Sequence, residues 1–299
     1  MGETVFFGYD QAALDREYNN SGNVANAAEY LTRYPADSAR TRDELPARLD
    51  LRYGPAPGET LDLFLPDGGG PAPVHVFVHG GYWRALGKAD FSFVARGLQP
   101  AGVLVAVIDY ALIPTVDMDE LVRQVRASVA WLHRNAAAFG GDPRRITVSG
   151  HSAGGHLAAM LMATDWARFA GLPPDVVKAA CGISGLYDLE PIRLSYLNET
   201  LALTPEMARR NSPVHGVPAQ AGGPLLLAVG ELEGDEYHRQ TESLAAAWQR
   251  RGLVAGVMDM AGHDHFSIVT ELGSPATPLS RAILRQMALP AAGRVMSSR

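Results

Sequence analysis

In Gly150-His151-Ser152-Ala153-Gly154 a serine is flanked by glycines two positions away on either side. The apolar run 145–149 precedes it, and the helix-forming stretch His156-Leu157-Ala158-Ala159-Met160-Leu161 comes after it. A serine on a sharp turn between a buried strand and a helix holds its hydroxyl clear of the sheet, and small neighbours admit the close backbone approach of such a turn. The helix beginning there aims the positive end of its dipole at the place where an anionic oxygen develops during attack on a carbonyl. Ser152 is therefore a candidate nucleophile for acyl transfer, and the Ala153 N–H is a candidate donor to the oxyanion.

A second donor has to come from another loop. Residues 74–78 read as a strand and run into His79-Gly80-Gly81-Tyr82-Trp83-Arg84. A glycine pair after a core strand lets backbone N–H groups approach a substrate oxygen, which makes Gly80 and Gly81 the candidates. His79 is read as holding this loop by hydrogen bonds rather than moving a proton. Tyr82 and Trp83 are candidate ring contacts for an aromatic substrate. Gly81 and Gly87-Lys88 imitate a phosphate-binding loop, but the glycines stand one residue too far apart. Ala89 also occupies the place where that motif needs Ser or Thr for magnesium.

A serine hydroxyl needs a base, and a histidine base needs a carboxylate to fix its tautomer and offset its charge. Residues 224–229 end in Gly230-Glu231-Leu232-Glu233-Gly234-Asp235-Glu236, so Glu231, Glu233, Asp235 and Glu236 are all open as the acid. Residues 254–258 lead into Ala261-Gly262-His263-Asp264-His265-Phe266, so His263 and His265 are both open as the base. His133, His156 and His238 fall within helical patterns, and His151 is read as facing away on its tight turn. No second His or Cys group completes a metal set with His263, Asp264 and His265, so no metal is expected. The chemistry itself requires no cofactor.

These loops imply a particular scaffold. Residues 74–78, 103–109, 145–149, 178–183, 224–229 and 254–258 are continuous apolar runs separated by helix-length segments. Strands apolar on both faces and alternating with helices predict a mostly parallel sheet covered on both sides. Residues 49–53 and 60–65, joined by Gly54-Pro55-Ala56-Pro57-Gly58, predict an antiparallel hairpin in front of it. The polar, proline-punctuated stretch 189–218 reads as a cap insertion over the carboxyl edge of the sheet. Residues 1–48 read as an N-terminal arm or flap, with a helix over 10–18 broken by Asn19-Asn20-Ser21-Gly22-Asn23. The main domain then spans 49–290, and 291–299 reads as a disordered tail.

Composition narrows the field. Of 299 residues, 47% are hydrophobic, enough for a sizeable core. With 26 Lys and Arg against 32 Asp and Glu, and no basic stripe, nucleic acid is not an expected partner. The single cysteine, Cys181, fits a reducing compartment. Met1 to Phe7 lacks the charged and apolar regions of a secretory signal, and no apolar run approaches the length that spans a bilayer. The sequence therefore reads as a cytoplasmic protein without membrane association, and it is open to a homodimer.

Taken together these residues resemble the α/β-hydrolase fold, and more narrowly the kynurenine formamidase (arylformamidase) family. The resemblance rests on His79-Gly80-Gly81-Tyr82-Trp83, Gly150-His151-Ser152-Ala153-Gly154, Asp188-Leu189-Glu190-Pro191, Arg210-Asn211-Ser212-Pro213, Glu236-Tyr237-His238-Arg239-Gln240 and Asp264-His265-Phe266. It implies Ser152 as nucleophile and His265 as base. Aligning on Glu236-Tyr237-His238-Arg239-Gln240 puts Glu233 where the family carries an aspartate, with Asp235 as the reserve acid. It also implies a small aromatic amide or ester substrate, such as N-formylkynurenine. A broader carboxylesterase or arylamide/carbamate hydrolase is the alternative on the same framework, and an inactive hydrolase-like binding protein is the alternative of another class.

Overall fold

The structure is a computed structural model describing residues 3–68 and 70–288. The tail expected over 291–299 lies outside the described residues. β1 (Thr4–Phe6) and β2 (Tyr9–Asp10) form a separate antiparallel ribbon. The main sheet contains β3 (Ala47–Arg52), β4 (Thr60–Phe64), β5 (Ala72–Val78), β6 (Leu104–Ile108), β7 (Gly141–His151), β8 (Val177–Ile183), β9 (Leu225–Gly230) and β10 (Ala255–Met260). Their spatial order is β10-β9-β8-β7-β5-β6-β4-β3. β3 and β4 are the antiparallel hairpin, β4 runs antiparallel to β6, and β5 to β10 run parallel to one another.

Each central strand feeds two cores, as a sheet covered on both faces requires. Val74, Val76 and Val78 of β5 face the core shared with helices Met118–Asn135, Ala153–Met162 and Asp235–Arg250. Phe77, between them, faces the other core, where Phe91, Leu98, Leu279 and Ile283 pack. The stretch 189–218 carries helices Glu190–Leu194, Asn198–Leu201 and Pro205–Arg210. Ile192, Leu197, Leu201 and Ala208 from it are buried in the larger core, which makes this insertion part of the packed body.

The arm is more structured than its polarity suggests. Asp10 caps helix Gln11–Glu17 by accepting from the Ala13 amide at 2.9 Å, and the asparagine-rich stretch interrupts it. Beyond that break the chain forms an 18-residue helix, Ala27–Glu44, with Pro35 inside it. Its buried face is Ala27, Tyr34, Ser38 and Thr41, a helical spacing carried half by polar side chains. The proline removes one backbone donor, and tertiary anchoring holds the turn: Tyr34 is buried and its hydroxyl donates to the Phe266 carbonyl at 2.5 Å.

Candidate active site

At the end of β7 the backbone of Ser152 takes φ 58 and ψ −120, a strained conformation costing roughly 1–3 kcal/mol that the surroundings must over-determine. The flanking glycines explain how. A Cβ on Gly150 would lie 2.1 Å from the Gly154 carbonyl oxygen, and one on Gly154 would lie 2.0 Å from that of Val78. The Ser152 amide is fixed to the Ile183 carbonyl of β8 at 2.8 Å, and all ten residues of helix Ala153–Met162 are buried behind it.

Three sequence-distant side chains meet there in one line. His265 Nε2 lies 3.1 Å from Ser152 Oγ, and His265 Nδ1 lies 2.8 Å from Glu233 Oε2. The Glu233 side chain is fully buried, and its other oxygen accepts from the Ser184 hydroxyl and, at 2.7 Å, from the Gly230 amide. Glu233 stands on the turn after β9 and His265 on the loop after β10, so the sheet order delivers both to one edge. A carboxylate facing Nδ1 places the ring proton on that nitrogen, which leaves Nε2 free to accept from the serine.

The other candidates are engaged elsewhere. Glu231 accepts from the Gly262 amide at 2.8 Å, Asp235 is the exposed first residue of helix Asp235–Arg250, and Glu236 binds Tyr18 and Arg239. His263 pairs with Ser267 Oγ at 3.2 Å and lies 3.6 Å from Glu271. Asp264 accepts from the amides of Phe266 and Ser267, each at 2.8 Å, building the turn that sends the two histidines in different directions.

Register also sets the oxyanion loop. Val78 lies opposite Gly150 in the parallel β5–β7 ladder, so the residues after it run alongside the elbow. A Cβ on Gly80 would come within 3.1 Å of Ser152 Cβ. Gly81 has φ +111, and a Cβ there would sit 2.0 Å from the Ala85 carbonyl oxygen. Among the described residues, neither the Gly81 nor the Ala153 amide donates to a backbone or side-chain acceptor. His79 donates from Nδ1 to the Gly80 carbonyl at 2.7 Å and stacks on Tyr110 at 4.3 Å; burial lowers its pKa to about 4, so it is neutral at pH 7.

A cavity of about 260 Å³ opens on Ser152 and His265. Tyr82 lines it, with its hydroxyl donating to the Tyr18 carbonyl at 2.8 Å. Trp83 does not, which corrects its reading as a substrate contact. Its side chain is wholly buried, and its indole N–H donates to His156 Nδ1 at 3.1 Å, while His156 Nε2 donates to the Asn211 carbonyl at 2.6 Å. Burial pushes the His156 pKa down to about 4, in keeping with that neutral tautomer. His151 does not face away as expected: its ring lies 4.8 Å from that of His265, and its Nε2 donates to the His265 carbonyl at 2.7 Å. Burial, then the nearby His265, holds its pKa well below the usual value.

Sequence reasoning reads residues 1–48 as an arm or flap but names no site residue within it. Asn19, Asn20 and Ser21 line the cavity. Asn20 donates to the hydroxyls of Tyr237 at 2.7 Å and Tyr82 at 3.0 Å, and the Tyr237 ring lies 4.8 Å from that of His265. Lys88 of the false phosphate loop instead pairs with Asp50 at 2.6 Å and Asp62 at 2.8 Å. Among the described residues no cluster of His, Cys, Asp and Glu is arranged to hold a metal ion, and no helix is long and apolar enough to cross a membrane.

The family model described as BD-FAE matches residues 61–247. The kynurenine formamidase of Danio rerio is 34% identical over 263 residues, covering 86% of this chain and 88% of the relative. That of Salmo salar is also 34% identical, over 264 residues, with the same coverage of 86% and 88%. A crystal structure from Silicibacter sp. TM1040, assigned as a thioesterase, is similar with a TM-score of 0.80 at 33% identity, covering 90% of this chain and 98% of the other.

Proposed function

From the premise that the chain belongs to the kynurenine formamidase family of α/β-hydrolases, we propose that it hydrolyses an aryl formamide such as N-formylkynurenine to the aryl amine and formate. Ser152 Oγ attacks the formyl carbon as its proton passes to His265 Nε2, and Glu233 offsets the imidazolium charge across the 2.8 Å contact to Nδ1. The backbone N–H groups of Gly81 and Ala153, with Gly80 shaping the loop, stabilise the tetrahedral oxyanion. The protonated His265 then donates to the departing nitrogen as the C–N bond breaks. The amine leaves, and Ser152 keeps the formyl group as an ester. Water, activated by the same Nε2, attacks that ester; formate departs and Oγ regains its proton. No cofactor enters these steps.

The observation that carries this reading is the cavity over Ser152. Tyr18, Tyr34, Tyr82, Phe91, Tyr196 and Phe266 contribute its aromatic walls, and its size of about 260 Å³ suits a single-ring substrate. Formate release from N-formylkynurenine, measured beside hydrolysis of phenyl acetate, tests it. A formamide kcat/KM far below that for the ester favours the second reading, a broader carboxylesterase, to which the relative assigned as a thioesterase lends weight. Ser152→Ala is expected to fold with an unchanged circular dichroism spectrum and to lose at least about three decades of kcat. Activity within tenfold of the parent would remove Ser152 from the mechanism.

A further inference from the structure

Acyl transfer by Ser152, His265 and Glu233 leaves one charged group of the cavity unused. Arg84 lies just past the oxyanion loop and lines the same cavity as Ser152 and His265, which among the described residues has no Asp or Glu in its lining. Of its five N–H donors, one has a protein acceptor among the described residues: Nη1 donates to Thr200 Oγ1 at 2.9 Å. Other arginines of this acidic protein have carboxylate partners, among them Arg123, Arg193, Arg210 and Arg239. Arg84 makes no ion pair among the described residues. The acid beside the neighbouring Tyr196 is Asp15, which accepts from the Tyr196 amide at 2.8 Å and from Gln11 at 3.0 Å instead.

Arg84 is half-buried in the lining of an aromatic-walled cavity, and its remaining N–H groups have no protein acceptor among the described residues, which leaves them open to an anionic ligand. Its planar fork matches a carboxylate in two parallel hydrogen bonds. We propose that Arg84 binds a carboxylate on the leaving-group side of the substrate, so that this enzyme selects aryl formamides or esters that carry an anionic tail. In a formamide the acyl part is a single carbon, which places every other charge on the leaving aryl group. A single guanidinium, with no other Arg or Lys in the lining among the described residues, suits a monoanionic carboxylate rather than a phosphate dianion. N-formylkynurenine, an amino acid, has such a carboxylate. The proposal rests on acyl transfer at Ser152, but not on the acyl group being formyl.

Two matched pairs test it: 3-formamidobenzoate against formanilide, and 3-acetoxybenzoate against phenyl acetate. The quantity read is the ratio of kcat/KM for the charged member to that for the neutral one. The parent enzyme is expected to favour the charged member of each pair that it hydrolyses. Arg84→Gln should lower the ratio roughly 10- to 100-fold, the range of a charge-assisted bidentate contact, and mainly through KM. Arg84→Lys should restore part of it. Thr200→Val, which removes the contact to the cap alone, should leave the ratio within about twofold. The proposal is overturned by a ratio unmoved in Arg84→Gln, by the same collapse in Thr200→Val, or by a parent enzyme that favours the neutral members. A ratio that collapses for the esters while neither formamide is hydrolysed would retain Arg84's role and sink the formamidase reading. A protein that turns over none of the four sinks both.

Discussion

Glu233→Gln preserves the shape of the acid and tests whether its charge and hydrogen-bonding sense matter. In the parent, Oε1 receives the Gly230 amide at 2.7 Å and the Ser184 hydroxyl, while Oε2 faces His265 Nδ1 at 2.8 Å. The serine can turn its hydroxyl round; the Gly230 amide cannot. A glutamine with its NH₂ toward Gly230 would set two donors against each other in a buried site, at roughly 1–3 kcal/mol. It therefore settles with its carbonyl there and its NH₂ on Nδ1. That nitrogen must then accept, the ring proton moves to Nε2, and Nε2 can no longer take the proton of Ser152. A wrong tautomer of this kind costs about four decades in a well-studied serine protease. The expected fall in kcat is about three to four decades, or 4–5.5 kcal/mol at 1.36 kcal/mol per decade, with KM changed little. Steady-state kinetics at saturating substrate, on protein with parental circular dichroism, reads it. Asp235→Asn, at an exposed helix start, should stay within a few-fold. A fall under tenfold in Glu233→Gln, or a severe loss in Asp235→Asn, refutes the reasoning.

Three further outcomes are expected. His265→Ala should abolish turnover, while His263→Ala, whose ring contacts Ser267 and Glu271, should cost less than tenfold; reversed effects would mean that the other histidine is the base. Gly81→Ala should cut kcat at least tenfold or lower the melting temperature by several degrees, because its Cβ would meet the Ala85 carbonyl at 2.0 Å on a backbone of φ +111; parental kinetics and melting would contradict the tight turn. Acid should destabilise the fold: burial lowers His75 to about 3, and His79 and His156 to about 4, so below pH 6.5 the unfolded chain binds protons that the native state refuses. Stability from these groups is fully present above about pH 6.5 and is lost as pH falls toward 4, each contributing on the order of 1 kcal/mol per pH unit. Melting temperature measured from pH 7.5 to 4.5 should drop by at least about 5 °C, and a flat profile would contradict it.

The parallel sheet was legible because its strands are apolar on both faces, and the elbow was legible because its signal is confined to five consecutive residues. The acid was less so. Four carboxylates share the seven residues after β9, and what separates them is a turn: the Glu233 amide bonds back to the Gly230 carbonyl at 3.1 Å, folding that one side chain over the strand end. Helix Ala27–Glu44 is hidden in the sequence because Ser38 and Thr41 stand in its buried face and Pro35 interrupts the pattern. Trp83 is easily misjudged because an aromatic residue next to a catalytic loop carries no mark of which way it turns. The hint lay elsewhere, in His156 on an otherwise apolar helix, a buried polar ring that required a donor.

The two halves of the site also differ in how far they depend on the arm. The bonds that align Ser152, His265 and Glu233 come from strand ends of one sheet, and the motif residues encode them locally. The cavity wall is instead assembled across the chain by Glu236-Tyr237-His238-Arg239-Gln240. Glu236 accepts from the Tyr18 hydroxyl at 2.8 Å, Gln240 donates to that hydroxyl at 3.0 Å, and Tyr237 is tied to Asn20 at 2.7 Å. Gln240 also accepts from the amides of Tyr187 at 2.6 Å and Asp188 at 2.9 Å, fixing the loop beyond β8 and Ser184. One helix turn thus holds the arm over the cavity with one set of side chains while the Tyr237 ring packs against His265. The same segment contacts both the arm that lines the cavity and the His265 ring. The placement of the arm over the cavity and the packing beside His265 therefore rest on the same helix turn, so a change there is felt on both sides of the site.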